Sequence, residues 1–124
     1  MAYTQYSDKQ IDKFHRQKYI LHLEKITKNL YKMLRYENSS QEQFINRFNN
    51  LQKSLLKLKA VELYTTHHKE MESYINTLYQ KSQSEDFVLE DIREVELANL
   101  NRLQKLKNSG RYKKDKHKQQ YKDY

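Results

Sequence analysis

The chain has 124 residues, 36% hydrophobic and 32% charged, and its 24 Lys and Arg against 16 Asp and Glu leave a formal net charge of +8. That size suits one domain with one core, and the supply of Leu, Ile and Phe suits an amphipathic bundle rather than a thick globular interior. The absence of Cys excludes disulfides, thiolate zinc sites and cysteine nucleophiles together, and a reducing, cytoplasmic setting fits.

Residues 1–10 include Asp8 and no apolar core of signal-peptide length, so export is not expected, and no later stretch approaches a membrane-spanning run. With no Pro and a single Gly, at position 110, the residues that punctuate hairpins and tight turns are missing. Long helices are the simplest outcome. Ser7 and Gln10 are spaced as a capping box, which places a first helix start there. Tyr19, Ile20, Leu23, Ile26, Leu30, Met33 and Leu34 then recur at helical intervals, and the helix is expected to end near Tyr36. Ile11, Phe14 and Leu21 fall on a different side of the same wheel, a second apolar face that a lone bundle would leave partly wet.

Asn38-Ser39-Ser40 is a polar break in which Ser39 with Glu42, or Ser40 with Gln43, can cap a second helix. The same triplet matches a glycosylation sequon, which without an export signal reads as chance. Phe44, Phe48, Leu51, Leu55 and Leu58 alternate spacings of four and three, the repeat of a coiled-coil seam. Past Leu58 the repeat loses step, and Thr65-Thr66-His67-His68 is poor helix material because of its β-branched pair. Since Ile75, Leu78 and Tyr79 restore the pattern, one continuous helix to about Lys81, about 60 Å long, is favoured over two short ones with a turn at Thr65–His68. Ser82-Gln83-Ser84-Glu85 offers a further break and cap, followed by a stripe at Val88, Leu89, Ile92, Val95, Leu100, Leu103 and Leu106. Gly110 stands where a left-handed helix end is expected.

The expected fold is all-α, an antiparallel bundle of three long helices, or four if the segment near Thr65–His68 turns, over residues 1–110, with a basic tail over 111–124. A homodimer is expected, built on Ile11, Phe14 and Leu21 and on the seam of Phe44, Phe48, Leu51, Leu55 and Leu58.

Charge along the last helix is sorted: residues 85–96 sum to −5 and residues 97–124 to +7. Acids at the start and bases at the end complement the helix macrodipole without any ligand. The tail is harder to account for that way, with six bases, three tyrosines and no aliphatic residue, so it cannot bury itself and is expected to be flexible. Cations neutralise phosphates and aromatic faces stack on unpaired bases. Arg111, Tyr112, Lys113, Lys114, Lys116 and Lys118, extended by Arg102, Lys105 and Lys107, are therefore the candidate nucleic-acid contacts. An acidic protein surface is the other partner a basic balance favours. A richness in Lys, Asn, Gln, Ile and Tyr is also what an AT-rich genome produces without selection for binding.

Other chemistry finds little support. His68 and Glu72 are one turn apart, and His15 and His22 lie along one side of the first helix, but no Glu-x-x-His pair occurs, so no metal is expected. Eleven tyrosines suit the rim of a thin bundle. No phosphate loop, nucleophile elbow or paired-carboxylate signature occurs, so neither an enzyme, a cofactor nor a small-molecule substrate is expected. The chain reads as a non-enzymatic helical module that binds nucleic acid or sits in a nucleoprotein assembly; the alternative is a protein-interaction module, an adaptor, regulator or inhibitor, that uses charge only for steering.

Overall fold

The computed structural model describes residues 8–36 and 39–122, with side chains as far as Lys107. The described residues form four helices, α1 (Asp8–Arg35), α2 (Gln41–Leu56), α3 (Thr66–Ser82) and α4 (Leu89–Lys122), and no strand. The Ser7 capping pair lies outside the described residues.

Polar contacts between helices fix the directions. Arg93 of α4 reaches the Met33 carbonyl of α1 while Lys107 reaches Glu24, so α1 and α4 run antiparallel. Gln52 meets Asn76 and Asn49 meets Gln83, which makes α2 and α3 antiparallel as well. Leu23, Ile26, Leu30 and Leu34 of α1 are wholly buried, together with Phe44 and Phe48 of α2 and Ile75 of α3, and the core around them includes Leu78, Leu89, Leu100 and Leu103. Phe87, just ahead of α4, stacks on Phe44 at 5.9 Å, and Phe48 packs edge-on against both Phe44 and Tyr79. Aromatic pairs in these geometries add to the burial of their area.

The turn between α1 and α2 follows the sequence closely. Ser40 is the N-cap, its Oγ accepting from the Gln43 amide while Gln43 Oε1 accepts from the Ser40 amide, a complete capping box.

The expected continuous second helix does not form: α2 stops at Leu56, and residues 59–64 have no regular structure before α3 starts at Thr66. Thr65 is the cap, with an extended backbone and Oγ1 accepting from the His68 amide. A β-branched residue that is mediocre inside a helix is a good N-cap, because its hydroxyl satisfies an otherwise orphaned amide. Leu63 of the linker is buried and Leu58 and Val61 are half-buried, so the loss of step marks the place where the chain leaves the helix to pin itself onto the core.

Two further expectations are corrected. Helix α4 passes through Gly110 and ends at Lys122, and no glycine has a positive φ, so Gly110 is not a left-handed cap. Gly inside a helix costs only about 1 kcal/mol relative to Ala, and Lys107, Arg111, Lys113 and Lys114 nearby are good helix formers. The stripe of α4 is also displaced. Leu89, Arg93, Glu96, Leu100 and Leu103 face the core at spacings of four and three, while Val88 and Val95 are exposed and Ile92 is half-buried. Two charged residues occupy positions that the hydrophobic pattern assigns to valine and isoleucine.

Candidate functional site

The two inward charges of α4 have partners. Arg93 lies against the C-terminal end of α1, where its Nη1 donates to the carbonyls of Met33 (2.9 Å), Leu34 (2.8 Å) and Tyr36 (3.3 Å) and its Nη2 to that of Ser39 (3.4 Å). Glu90, one turn earlier, pairs with the same guanidinium at 2.8 Å, and this bond holds its carboxyl below the usual range. The last carbonyls of a helix lack intrahelical partners, and a cation suits that end of the macrodipole. A chain with no glycine near residue 36 thus closes α1 with an arginine from a distant helix. Glu96 is 2% exposed; its Oε1 accepts from the Tyr74 hydroxyl (3.0 Å) and the Asn99 amide (2.9 Å), and Lys81 approaches Oε2 at 3.6 Å. Burial and then the facing carboxylate raise the Tyr74 pKa well above its ordinary value, and burial and Glu72 do the same to Tyr19. These are satisfied structural networks.

The expected nucleic-acid contacts divide into groups. Arg102 and Lys105 are exposed on α4. Lys107 is half-buried and bonded to Glu24 at 3.0 Å, so one of the three cations expected to extend the basic surface is tied to the bundle. Arg111, Tyr112, Lys113, Lys114, Lys116 and Lys118 lie on the backbone of the final turns of α4, and their side chains fall outside the described residues.

The expected interface residues also separate. Phe44, Phe48, Leu51 and Leu55 are consumed by the chain's own core and present no open seam, because α1 and α3 already cover that face, and Leu58 is half-buried. Ile11, Phe14 and Leu21 are exposed, as is Leu56 at the end of α2. Helix α1 has 28 residues and α2 only 16, lengths of about 42 and 24 Å. With His22 level with Leu51, the first turns of α1, which include Ile11 and Phe14, run past the end of α2.

The histidines do not converge. His15 packs against the Phe14 ring and the His22 ring meets the Leu51 carbonyl at 3.1 Å, while Glu72 accepts from Tyr19. Among the described residues no group of three or more His, Asp or Glu could hold a metal. Neither ring nitrogen of His67 has a hydrogen-bond partner. Burial lowers the pKa of both His67 and His68; at His67 the neighbouring His68 and Lys107 lower it further against an opposing pull from Glu24.

Several concave regions lie between the helices, three of them well defined among the described residues. A cleft of about 350 Å³ between α1, α3 and α4 has Met71, Leu100 and Leu103 at its floor and the Glu24–Lys107 pair at its side. A smaller one between α3 and α4 contains Glu96 and its partners. The third, a groove of about 700 Å³ between α1 and α2, is lined by Lys25, Arg47, Asn29, Asn46 and Asn50 among other polar groups, over Met33 and Leu51. No acidic side chain lines it among the described residues. The expectations from sequence did not include this groove. Its signal is present in α2, where positions 43, 46, 47, 50 and 54, off the core stripe, carry only amides, a hydroxyl and an arginine.

Among the described residues no helix is long and apolar enough to cross a membrane. No protein-family model, no curated protein and no solved structure matches this chain.

Proposed function

We propose that this chain is a non-enzymatic helical module that binds nucleic acid, alone or within a nucleoprotein assembly, through phosphate contacts from α4. The observation that carries this reading is the continuity of α4. It is anchored in the core by Leu89, Leu100 and Leu103 and continues through Gly110, and from residue 97 onward the chain has nine bases against two acids. Lys107, Arg111, Lys114 and Lys118 recur at four, three and four residues, so bases follow one another about every turn of an unbroken helical backbone. Arg102 and Lys105 sit exposed at its root. From residue 97 onward, a helical stretch with so little compensating acid concentrates positive potential, which suits a polyanion.

Titration of a labelled single strand against salt tests the reading. Six phosphate contacts from residues 111–124 give a log-log slope of about −4, and deletion of those residues abolishes binding. A truncated protein that keeps full affinity removes the tail from the account, and a full-length protein without affinity at low salt removes the function.

The exposure of Ile11, Phe14 and Leu21 favours a second reading, a protein-interaction module, with a second copy of the chain as the first partner to examine. Sedimentation that finds a compact monomer at all concentrations counts against that copy.

A further inference from the structure

The groove between α1 and α2 differs from the other concave regions in its chemistry. Each of the other two has acid in its lining: Glu24, paired with Lys107, stands beside Lys28 and Lys32 in one, and Glu70 and Glu96, the latter paired with Lys81, stand beside Arg102 in the other. The α1–α2 groove has cations and amides without an acid among the described residues. Arg16 stacks over Tyr64, Arg35 over Tyr31, and Arg93 is bound to carbonyls and Glu90. Among the described residues Arg47 makes no such contact, and the side chains of Lys25, Asn46 and Asn50 make no hydrogen bond or ion pair.

We infer that this groove receives a short single-stranded segment of nucleic acid, with Lys25 and Arg47 on its phosphates and Asn46 and Asn50 on base edges. The inference rests on the nucleic-acid reading above and adds a second contact surface to it. Arginine offers a planar fork of donors that matches phosphate oxygens, and an asparagine amide can donate and accept together on a base edge. Met33 and Leu51 also line the groove, though both are largely buried in the core. Geometry selects one strand over two. Reading a duplex requires an element that projects into a major groove about 12 Å wide, whereas this surface is a depression between two helices, which only an unpaired strand can enter with its base edges accessible. The arrangement follows from α2 itself: Phe44, Phe48, Leu51 and Leu55 turn one face into the core, and the same helical period lines up Asn46, Arg47 and Asn50 beside Lys25 and Asn29 of α1.

Fluorescence anisotropy with a short labelled single strand of mixed sequence decides the matter, using the full chain. The Lys25→Ala/Arg47→Ala variant is compared with Lys13→Ala/Lys69→Ala, which removes equal charge from exposed positions outside the groove. Circular dichroism melts confirm that both fold. If the groove binds, the Lys25/Arg47 variant loses affinity about tenfold or more at low salt and its log-log salt slope becomes shallower by about 1.4, two single-strand phosphate contacts. The control pair stays near wild type. Asn46→Ala/Asn50→Ala weakens binding without changing the slope, because amides release no counterions. Equal affinities for the two charge-removing variants, in a wild-type protein that binds, overturn the groove and leave α4 as the binding element. A wild-type protein that binds no nucleic acid at low salt overturns both readings. Tighter binding of a duplex than of a single strand, or of poly-glutamate as tightly as of either, also overturns the groove.

Discussion

Arg93 shows how one residue can decide the end of an element far from it in sequence. It is 7% exposed and touches the carbonyls of Met33, Leu34 and Tyr36, which close α1, and that of Ser39 just before α2. Burying a guanidinium without partners would cost several kcal/mol, so the contacts are a condition of its position. Arg93→Leu strands the α1 carbonyls and lowers stability by about 3 kcal/mol. Val95→Ala, at a site 59% exposed, changes it by about 0.5 kcal/mol or less. Urea denaturation of the two variants checks both values, and the reverse order would restore the hydrophobic stripe as the buried face of α4.

At the scale of the element, the break between α2 and α3 matters most. Residues 59–64 donate no backbone hydrogen bond to another main-chain group, so a proline there removes none. Ala60→Pro is expected to shift the denaturation midpoint by the equivalent of less than about 1 kcal/mol, whereas the same change within a continuous helix costs about 3 kcal/mol or more. Leu63→Ala, by contrast, empties a buried site and costs about 2 to 3 kcal/mol. The end of α3 and the start of α4 show a similar economy of glycine. Helix α3 ends on Gln83 in a right-handed conformation, and the Gln41 side chain accepts from the Leu89 amide and donates to the Phe87 carbonyl, which ties the start of α4 to that of α2.

For the whole molecule, the pH dependence of stability follows from His67 and His68. Their pKa values in the fold lie below the ordinary 6.5, so the unfolded chain takes up protons first as pH falls. Stability is therefore fully present above about pH 6.5 and declines as pH drops through that value toward the lowered folded ones. Glu90, whose value is also lowered, adds a second loss below 4.5. Thermal melts from neutral to mildly acid pH read the first loss, and His67→Gln/His68→Gln flattens it; a variant that declines as steeply as wild type would remove the histidines from the account. Neutral imidazole is the form that suits His67, because protonation would leave two N–H groups without acceptors.

The all-helical class, the α1 stripe, the Ser40 cap and the Phe44 to Leu55 seam were all legible in sequence, because helical period, capping and apolar burial are local rules that hold wherever the helix packs. The break between α2 and α3 was legible only as the less favoured alternative, a turn near Thr65–His68, and the inward Arg93 and Glu96 and the groove between α1 and α2 were not. Each depends on which groups stand opposite: a charge enters the core only where carbonyls, a hydroxyl or an amide are waiting, and a groove exists only between two helices. Sequence thus determined that there would be helices and which faces of α1 and α2 carry the apolar stripes, but not that the α2 stripe would be buried within the chain's own core. Tertiary structure decided which α4 face turned inward, where the second helix stopped, and which cations were tied to the bundle, since those outcomes rest on partners such as those 22, 54 and 60 residues away, beyond the reach of local periodicity.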